Sequence, residues 1–269
     1  MTLTPTRIRD LLAAHDLHPR KALGQHFLAD PNTARRIVRL AGIGAGDRVV
    51  EVGPGVGSLT VALLGAGATV TALELDRHVI PVLAEVTAGE AITIVEGDGL
   101  TVDWAALLAG PEWSMVANLP YNVGTSLLLR ALETAPMITR FLVMVQREVG
   151  ERLAAGVGDP AYGAVSVRTA WFAEATVVGR VPPSVFLPPP RVESALVRLE
   201  RRPAPPVAVR DPERLFALVR AGFTTRRKTL RNALGGLVTP EMFVAGGVNP
   251  AARAEQLGLD EWARLADAG

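Results

Sequence analysis

The chain has 269 residues, 49% of them hydrophobic, enough to bury a full core in a main domain with room for a smaller one. It has no cysteine, which excludes disulfides and Cys-based zinc sites and suits a reducing cytosol. Net charge is only +1, so bulk charge argues for no polyanionic partner, and the opening MTLTPTRIRDLLAAHDLHPR lacks the continuous apolar run of a signal peptide.

Residues 6–18 read as a short amphipathic helix with Ile8, Leu11, Leu12 and Leu17 on its apolar face. KALGQHFLAD at 21–30 reads as a loop, and Asp30 then caps a helix that starts at Pro31 and runs to about Ala41. The rest of the chain is organised around RVVEVGPGVGSLT at 48–60. Val49, Val50 and Val52 form a buried strand, Glu51 lies near its carboxyl end, and Gly53, Gly55 and Gly57 make a turn into a helix closed by Gly65 and Gly67. Such glycines let backbone approach a ligand and leave helix N–H groups free for it, although glycine turns of this kind also occur for packing alone. The uncharged run from Val52 to Leu73 is 22 residues long, enough for a membrane span, but five glycines and Pro54 break it. It fits a buried strand–helix–strand better, and no membrane association is expected.

Strands are then predicted at 69–73, ending at Glu74 and Asp76, at 92–95, ending at Glu96-Gly97-Asp98, and at 114–117, running into Asn118-Leu119-Pro120-Tyr121. Helices are predicted over 77–87 and 123–133, a strand over 140–145, and a further helix from Gln146. This alternation predicts an α/β fold with a mostly parallel sheet. Past Gly158 the pattern changes. Residues 162–172 read as helical, and 174–180 and 194–200 as an antiparallel pair at the sheet edge, joined by the proline-stiffened VPPSVFLPPPRV. RPAPP at 202–206 reads as a linker, so residues 1–203 are expected to form the main domain and 204–269 a small helical one.

Four consecutive strands therefore end in polar groups: Glu51 with Gly53, then Glu74, Asp98 and Asn118. Ligands of open α/β sheets lie at these carboxyl ends. Each residue alone could simply cap the next helix. The spacing G-P-G-V-G, with an acid two residues before Gly53, is not the G-x-G-x-x-G of a dinucleotide site and suits S-adenosyl-L-methionine better. Glu51 can then serve the methionine ammonium, Glu74 the ribose hydroxyls and Asp98 the adenine amine. An NAD enzyme would also place an acid at Glu74, so that residue alone does not discriminate.

Asn118-Leu119-Pro120-Tyr121 points to the reaction. The segment resembles the [Asn/Asp]-Pro-Pro-[Tyr/Phe] sequence of amino-directed methyltransferases. An exocyclic adenine amine is a poor nucleophile because its lone pair is delocalised into the ring. The Asn118 carbonyl and the backbone carbonyl of Leu119 or Pro120 can accept its hydrogens and favour a pyramidal nitrogen, while Tyr121 stacks on the base. That is catalysis by positioning and electrostatics, without a general base. A bare proline turn with an Asx bond is the plainer alternative.

The set GQHFL, EVGPGVGSLT, ELD, EGD, NLPY, MVQREVGERL, VFLPPPRVESALV and FTTRRKTLRNAL, in this order from about residue 21 to 235, resembles the ribosomal RNA adenine dimethyltransferase family. It is most similar to the small-subunit, kasugamycin-sensitivity branch. The resemblance implies a Rossmann-like methyltransferase sheet and double methylation of two adjacent adenosines near the 3′ end of small-subunit rRNA, late in assembly. By motif it assigns His26, Leu28, Gly53, Glu74, Asp98 and Asn118 to the cofactor, beside Glu51 and Gly55 from the strand–turn reading, and sets Phe186 across the target base from Tyr121. His26 departs from the family's usual Gln-Asn-Phe; it can donate one hydrogen bond and accept another, but without an amide's geometry. An exposed loop histidine is the alternative reading.

Charge distribution adds to the case. Arg214 to Thr239 holds six basic residues and no acidic one, and the first 39 residues carry seven basic against three acidic. Arg226, Arg227, Lys228 and Arg231 are candidate RNA phosphate contacts, against the alternative of a solvated helix face. A cytoplasmic monomer that uses no metal is expected. The rival functions are large-subunit rRNA methylation of the macrolide-resistance type, a non-catalytic ribosome-assembly factor, and a nicotinamide oxidoreductase. The last is disfavoured because neither Tyr121 nor Tyr162 has a lysine four residues on.

Overall fold

The computed structural model describes residues 2–20 and 23–269; Lys21 and Ala22, which open the expected 21–30 loop, lie outside the described residues. In chain order the elements are α1 (Pro5–Ala14), β1 (Phe27–Leu28), α2 (Pro31–Ala41), β2 (Arg48–Val52), α3 (Ser58–Gly65), β3 (Thr69–Glu74), α4 (Ile80–Val86) and β4 (Ile92–Glu96). There follow α5 (Trp104–Leu107), β5 (Trp113–Asn118), α6 (Gly124–Thr134), β6 (Ile138–Gln146), α7 (Arg147–Ala154), α8 (Ala164–Phe172), β7 (Ala173–Val181), β8 (Phe186–Leu187) and β9 (Ser194–Arg201). The chain ends with α9 (Pro212–Thr224), α10 (Leu230–Ala233), α11 (Pro240–Ala245) and α12 (Leu259–Asp267).

Local chemistry sets the clearest boundaries. Asp30 accepts the N–H groups of Asn32 and Thr33, Pro31 takes the first turn of α2, and Gly42 closes the helix at φ 65°. Asp211 does the same for α9, accepting from Glu213 and Arg214.

The main sheet has the order β4-β3-β2-β5-β6-β9-β7, with β2 parallel to both β3 and β5 and β9 antiparallel to β6. The strand order therefore reverses at β2, and the crevice at the carboxyl ends of β3, β2 and β5 is where an open α/β sheet takes its ligand. Of the two late strands, β9 is the inner one and β7 the edge. The loop between them contributes β8, which pairs antiparallel with β1 to make a separate two-stranded ribbon. At the end of β9, the Arg201 guanidinium donates to the carbonyls of Leu132, Ala131, Ala135 and Ile138, satisfying the carboxyl end of α6 and the start of β6.

The chain divides into two compact units. One takes the chain up to Gly150 and again Thr176–Arg201; the other takes Glu151–Ala175 and Arg202–Gly269. The division expected at 203/204 thus misses one feature: 151–175 belongs with the carboxyl-terminal unit. Tyr162, Val167 and Trp171 supply apolar surface to its core, beside Leu215, Leu218, Leu230 and the fully buried Trp262. The Tyr162 hydroxyl donates to the Leu257 carbonyl at 2.9 Å. Among the described residues no helix is long and apolar enough to cross a membrane, and the uncharged Val52–Leu73 run is the end of β2, α3 and most of β3.

Candidate active site

One pocket in the first unit is lined by His26, Leu28, Glu51, Gly53, Gly55, Glu74, Asp98, Asn118, Leu119, Pro120 and Tyr121. All eight residues expected at a cofactor thus meet in one place: six because the chain leaves β2, β3, β4 and β5 at the same edge of the sheet, and His26 and Leu28 from the β1 segment that borders it. The glycines divide in role. Gly55 has φ 54°, and a Cβ there would lie 2.8 Å from the Phe27 ring; at Gly57 (φ 91°) it would lie 2.9 Å from Leu83 and Val86. These two are required by backbone and packing. Gly53 is required by its backbone alone, at φ 68°: a Cβ there would lie 3.6 Å from Pro120, an ordinary contact, beside the Asn118–Tyr121 segment.

The acids are held tightly. Glu51 is 1% exposed and accepts the Thr60 hydroxyl on Oε2 at 2.6 Å. Burial pushes its carboxyl up to about 8; the Thr60 bond opposes this and neighbouring Glu74 adds to it. Glu74 accepts the Gly55 N–H on Oε2 at 3.0 Å and the Asp76 N–H on Oε1 at 2.8 Å, which fix its carboxylate plane. Its carboxyl is also raised, chiefly by burial, against those backbone bonds and with a contribution from Asp76. Asp98 accepts the Leu100 N–H on Oδ1 and keeps acceptor capacity on its other oxygen.

The Asn118–Tyr121 segment is positioned by a backbone carbonyl. Asn118 Nδ2 donates to the His26 carbonyl at 3.1 Å. A carbonyl only accepts, so this bond fixes the carboxamide with its nitrogen toward His26 and leaves Oδ1 as the free acceptor. The His26 ring is fixed in the same way: Nδ1 lies 2.8 Å from the Pro188 carbonyl, so Nδ1 carries a proton and donates it. His26 stacks on Tyr121 with centroids 5.4 Å apart and an interplanar angle of 30°. The Tyr121 hydroxyl lies 2.6 Å from Ser194 Oγ, and burial raises its phenol against that bond.

One expectation needs correction and another gains a detail. Phe186, expected to face the target base, is 4% exposed, packs in the main core and is absent from the pocket lining. Its pairing with Leu28 in the β1–β8 ribbon turns it inward, and the ring that meets Tyr121 is His26. Arg226, Arg227, Lys228 and Arg231, expected at RNA, are all exposed; Arg226 is in addition engaged within its own unit, pairing with Glu255 at 2.8 Å and donating to the Pro160 carbonyl. The segment 225–229 lies between α9 and α10, so it is not a helix face.

Sequence alone did not single out Gln25, Asp76, Thr60 and Ser194 as site residues. Asp76 is 5% exposed and accepts Gln25 Nε2 at 2.8 Å on one oxygen and the His78 N–H and Arg20 on the other, while its own N–H supports Glu74. This ties the segment before β1 to the end of β3. The signal was the second acid of ELD, two residues after Glu74.

The sequence model described as ribosomal RNA adenine dimethylase matches residues 17–268. A protein named ribosomal RNA small subunit methyltransferase A from Phenylobacterium zucineum is 49% identical, over 97% of this chain and 92% of its own length. One of the same name from Magnetococcus marinus is 47% identical, over 97% and 95%. Among solved structures, a dimethyladenosine transferase from Plasmodium falciparum superposes with a TM-score of 0.73 at 24% identity, covering 89% of this chain and 96% of the other. The 23S rRNA methyltransferase ErmE superposes at 0.68 and 27% identity, covering 90% and 98%. With nearly the whole length matched, this chain belongs to the ribosomal RNA adenine dimethylase family.

Proposed function

We propose that this protein transfers methyl groups from S-adenosyl-L-methionine to the exocyclic amines of two adjacent adenosines near the 3′ end of small-subunit rRNA, giving N6,N6-dimethyladenosine. The observation that carries the chemistry is the fixed Asn118 carboxamide, whose Oδ1 is left to accept an adenine N–H. That acceptor, with the Leu119 or Pro120 carbonyl, draws the amine hydrogens away and leaves the nitrogen lone pair directed at the methyl donor. Tyr121, held by Ser194 and His26, offers its ring to the base.

The donor set fits this cofactor. Glu51 and Glu74 are carboxyls whose ionisation burial opposes, so a cationic guest that lets them ionise fits the pocket and a pyrophosphate does not. S-adenosyl-L-methionine supplies a methyl group on a positively charged sulfur, together with an ammonium. Glu51 would face the ammonium, Glu74 the ribose hydroxyls and Asp98 the adenine. The small-subunit target is supported by relatives of that name at 47–49% identity, against 27% for the 23S enzyme. Arg227, Lys228 and Arg231 would contact phosphate, and the protein would act as a monomer in the cytosol.

The test uses purified protein, labelled cofactor, and small-subunit particles and large-subunit RNA that lack dimethyladenosine. Digestion and mass spectrometry should find dimethyladenosine in small-subunit RNA only. Label confined to large-subunit RNA would overturn the target while keeping the chemistry; no transfer to either would return the chain to a non-catalytic assembly role.

A further inference from the structure

The catalytic unit carries a second concentration of positive charge that the site does not use. Arg35 and Arg39 are exposed four residues apart on α2, about 5–6 Å between their Cβ atoms. Arg36, between them in sequence, donates through Nη1 to the carbonyl of Arg180 on the edge strand β7. Arg39 also borders a cleft on the sheet, shared with Ser114, Arg140, Arg198 and Glu200. Strand register explains the grouping: Ser114, Arg140 and Glu200 lie in one row across β5, β6 and β9, with Val116, Leu142 and Arg198 in the row two residues away.

Among the described residues, no carboxylate lies within salt-bridge distance of Arg35, Arg36, Arg39, Arg180 or Arg198; Arg35 bonds the neutral Asn32 and feels the Asp30 carboxylate at longer range. Arg140 is neutralised by Asp47 at 3.1 Å, and Glu200 is the one other acid of the cleft. In a chain of net charge +1, this is a marked local excess. The floor of the cleft adds an independent sign of a ligand. Ser114 is 2% exposed, and its Oγ has no hydrogen-bond partner, an unmet donor of the kind that buried sites rarely tolerate. Four residues of β5, about 13 Å, separate Ser114 from Asn118, so this face is remote from the methyl-transfer pocket.

We propose that Arg35, Arg36, Arg39, Arg180 and Arg198 form a phosphate-binding face of the catalytic unit that grips the RNA backbone away from the target base. The proposal rests on the rRNA function inferred from the active site. All five cations are arginines, whose planar forks match phosphate oxygens in pairs. No aromatic residue stands exposed among them, and the cleft's Phe141 is 1% exposed, so the anchor that a protein partner requires is missing. The Ser114 hydroxyl then donates to a phosphate oxygen seated in the cleft.

The experiment measures binding of the whole protein to small-subunit particles as a function of salt. The triple variant Arg35→Gln, Arg39→Gln, Arg198→Gln should flatten the slope of log K against log salt by about 2–3, because fewer counterions are released. The corresponding triple lysine variant should keep the wild-type slope, and Glu200→Gln should steepen it. Cofactor affinity should stay unchanged in all of them. A glutamine variant with wild-type slope, measured where the wild type binds and methylates the particle, overturns this face and leaves the function standing. Weakened binding without a change in slope also overturns it, by pointing to a protein contact. If the wild type methylates only large-subunit RNA, the functional reading fails, and the same titration on that RNA still decides the face.

Discussion

Replacing Glu51 by glutamine tests the electrostatics of the pocket directly. The carboxyl is fully buried and moves from 4.5 to about 8 in the folded protein. Because the folded value is raised, the associated stability is fully present below about pH 4.5 and is lost as pH rises through about 8. At ~1.4 kcal/mol per pH unit, the full span is worth about 4–5 kcal/mol, of which about 3 should appear between roughly pH 5 and pH 8. Glu51→Gln keeps the shape and an oxygen for Thr60 but cannot ionise. Without cofactor, the variant should therefore gain about 3 kcal/mol on the wild type across this interval, or roughly 6–12 °C in Tm. Glu74 titrates in both proteins and largely cancels from the comparison. Denaturant melts at several pH values provide the assay. Parallel stability profiles for the two proteins would refute the assignment of a buried carboxyl held near neutrality. With cofactor present the order should reverse, since the glutamine variant has lost its partner for the ammonium.

Glu74→Ala should weaken S-adenosyl-L-methionine binding by about 1.5–3 kcal/mol, roughly ten- to a hundredfold, and calorimetry showing wild-type affinity would reject its ribose role. Tyr121→Ala should lose about 1–3 kcal/mol of base stacking and slow methyl transfer with little change in cofactor affinity; full activity would remove the ring from the mechanism. Phe186→Ala should instead act through the core, lowering stability by about 3–5 kcal/mol in a denaturant melt. Changing Arg227 and Lys228 together to Ala should flatten the salt slope of particle binding by about 1–2, whereas Arg226→Ala should mainly loosen its own unit; equal slopes for all three proteins would deny the segment an RNA role.

The legible parts of the fold were those written locally. The Asp30-Pro31 start of α2 reads directly, its expected end at about Ala41 is where the structure ends it, and the strand-end residues Glu51, Glu74, Asp98 and Asn118 converge on one pocket. The β1–β8 ribbon was not legible, because two-residue strands 160 positions apart carry no period of their own. That omission is why Phe186 was read as a base-facing aromatic. Motif position places it near Tyr121 in sequence logic, but only the register with Leu28 shows which way it turns. The partner of Arg226 was not legible for a similar reason: a run of charges does not reveal that Glu255, 29 residues on, will pair with one of them. The unit boundary escaped because the cue was a linker, while Val167 and Trp171 declare their allegiance only through packing.

The same ribbon has a consequence for when the protein becomes competent. His26 is held by the Pro188 carbonyl, 162 residues later, and Tyr121 by Ser194. At a synthesis rate of about 5–20 residues per second, roughly 8–30 s separate the appearance of the two halves of this grip. A nascent chain that has completed β2 to β6 already possesses the parallel strands and the acids, yet lacks the wall that sets the His26 and Tyr121 rings. Competence for methyl transfer should therefore switch on only after β8 and Ser194 have been made, and products truncated before β8 should be inert toward RNA adenines even where their parallel strands have formed.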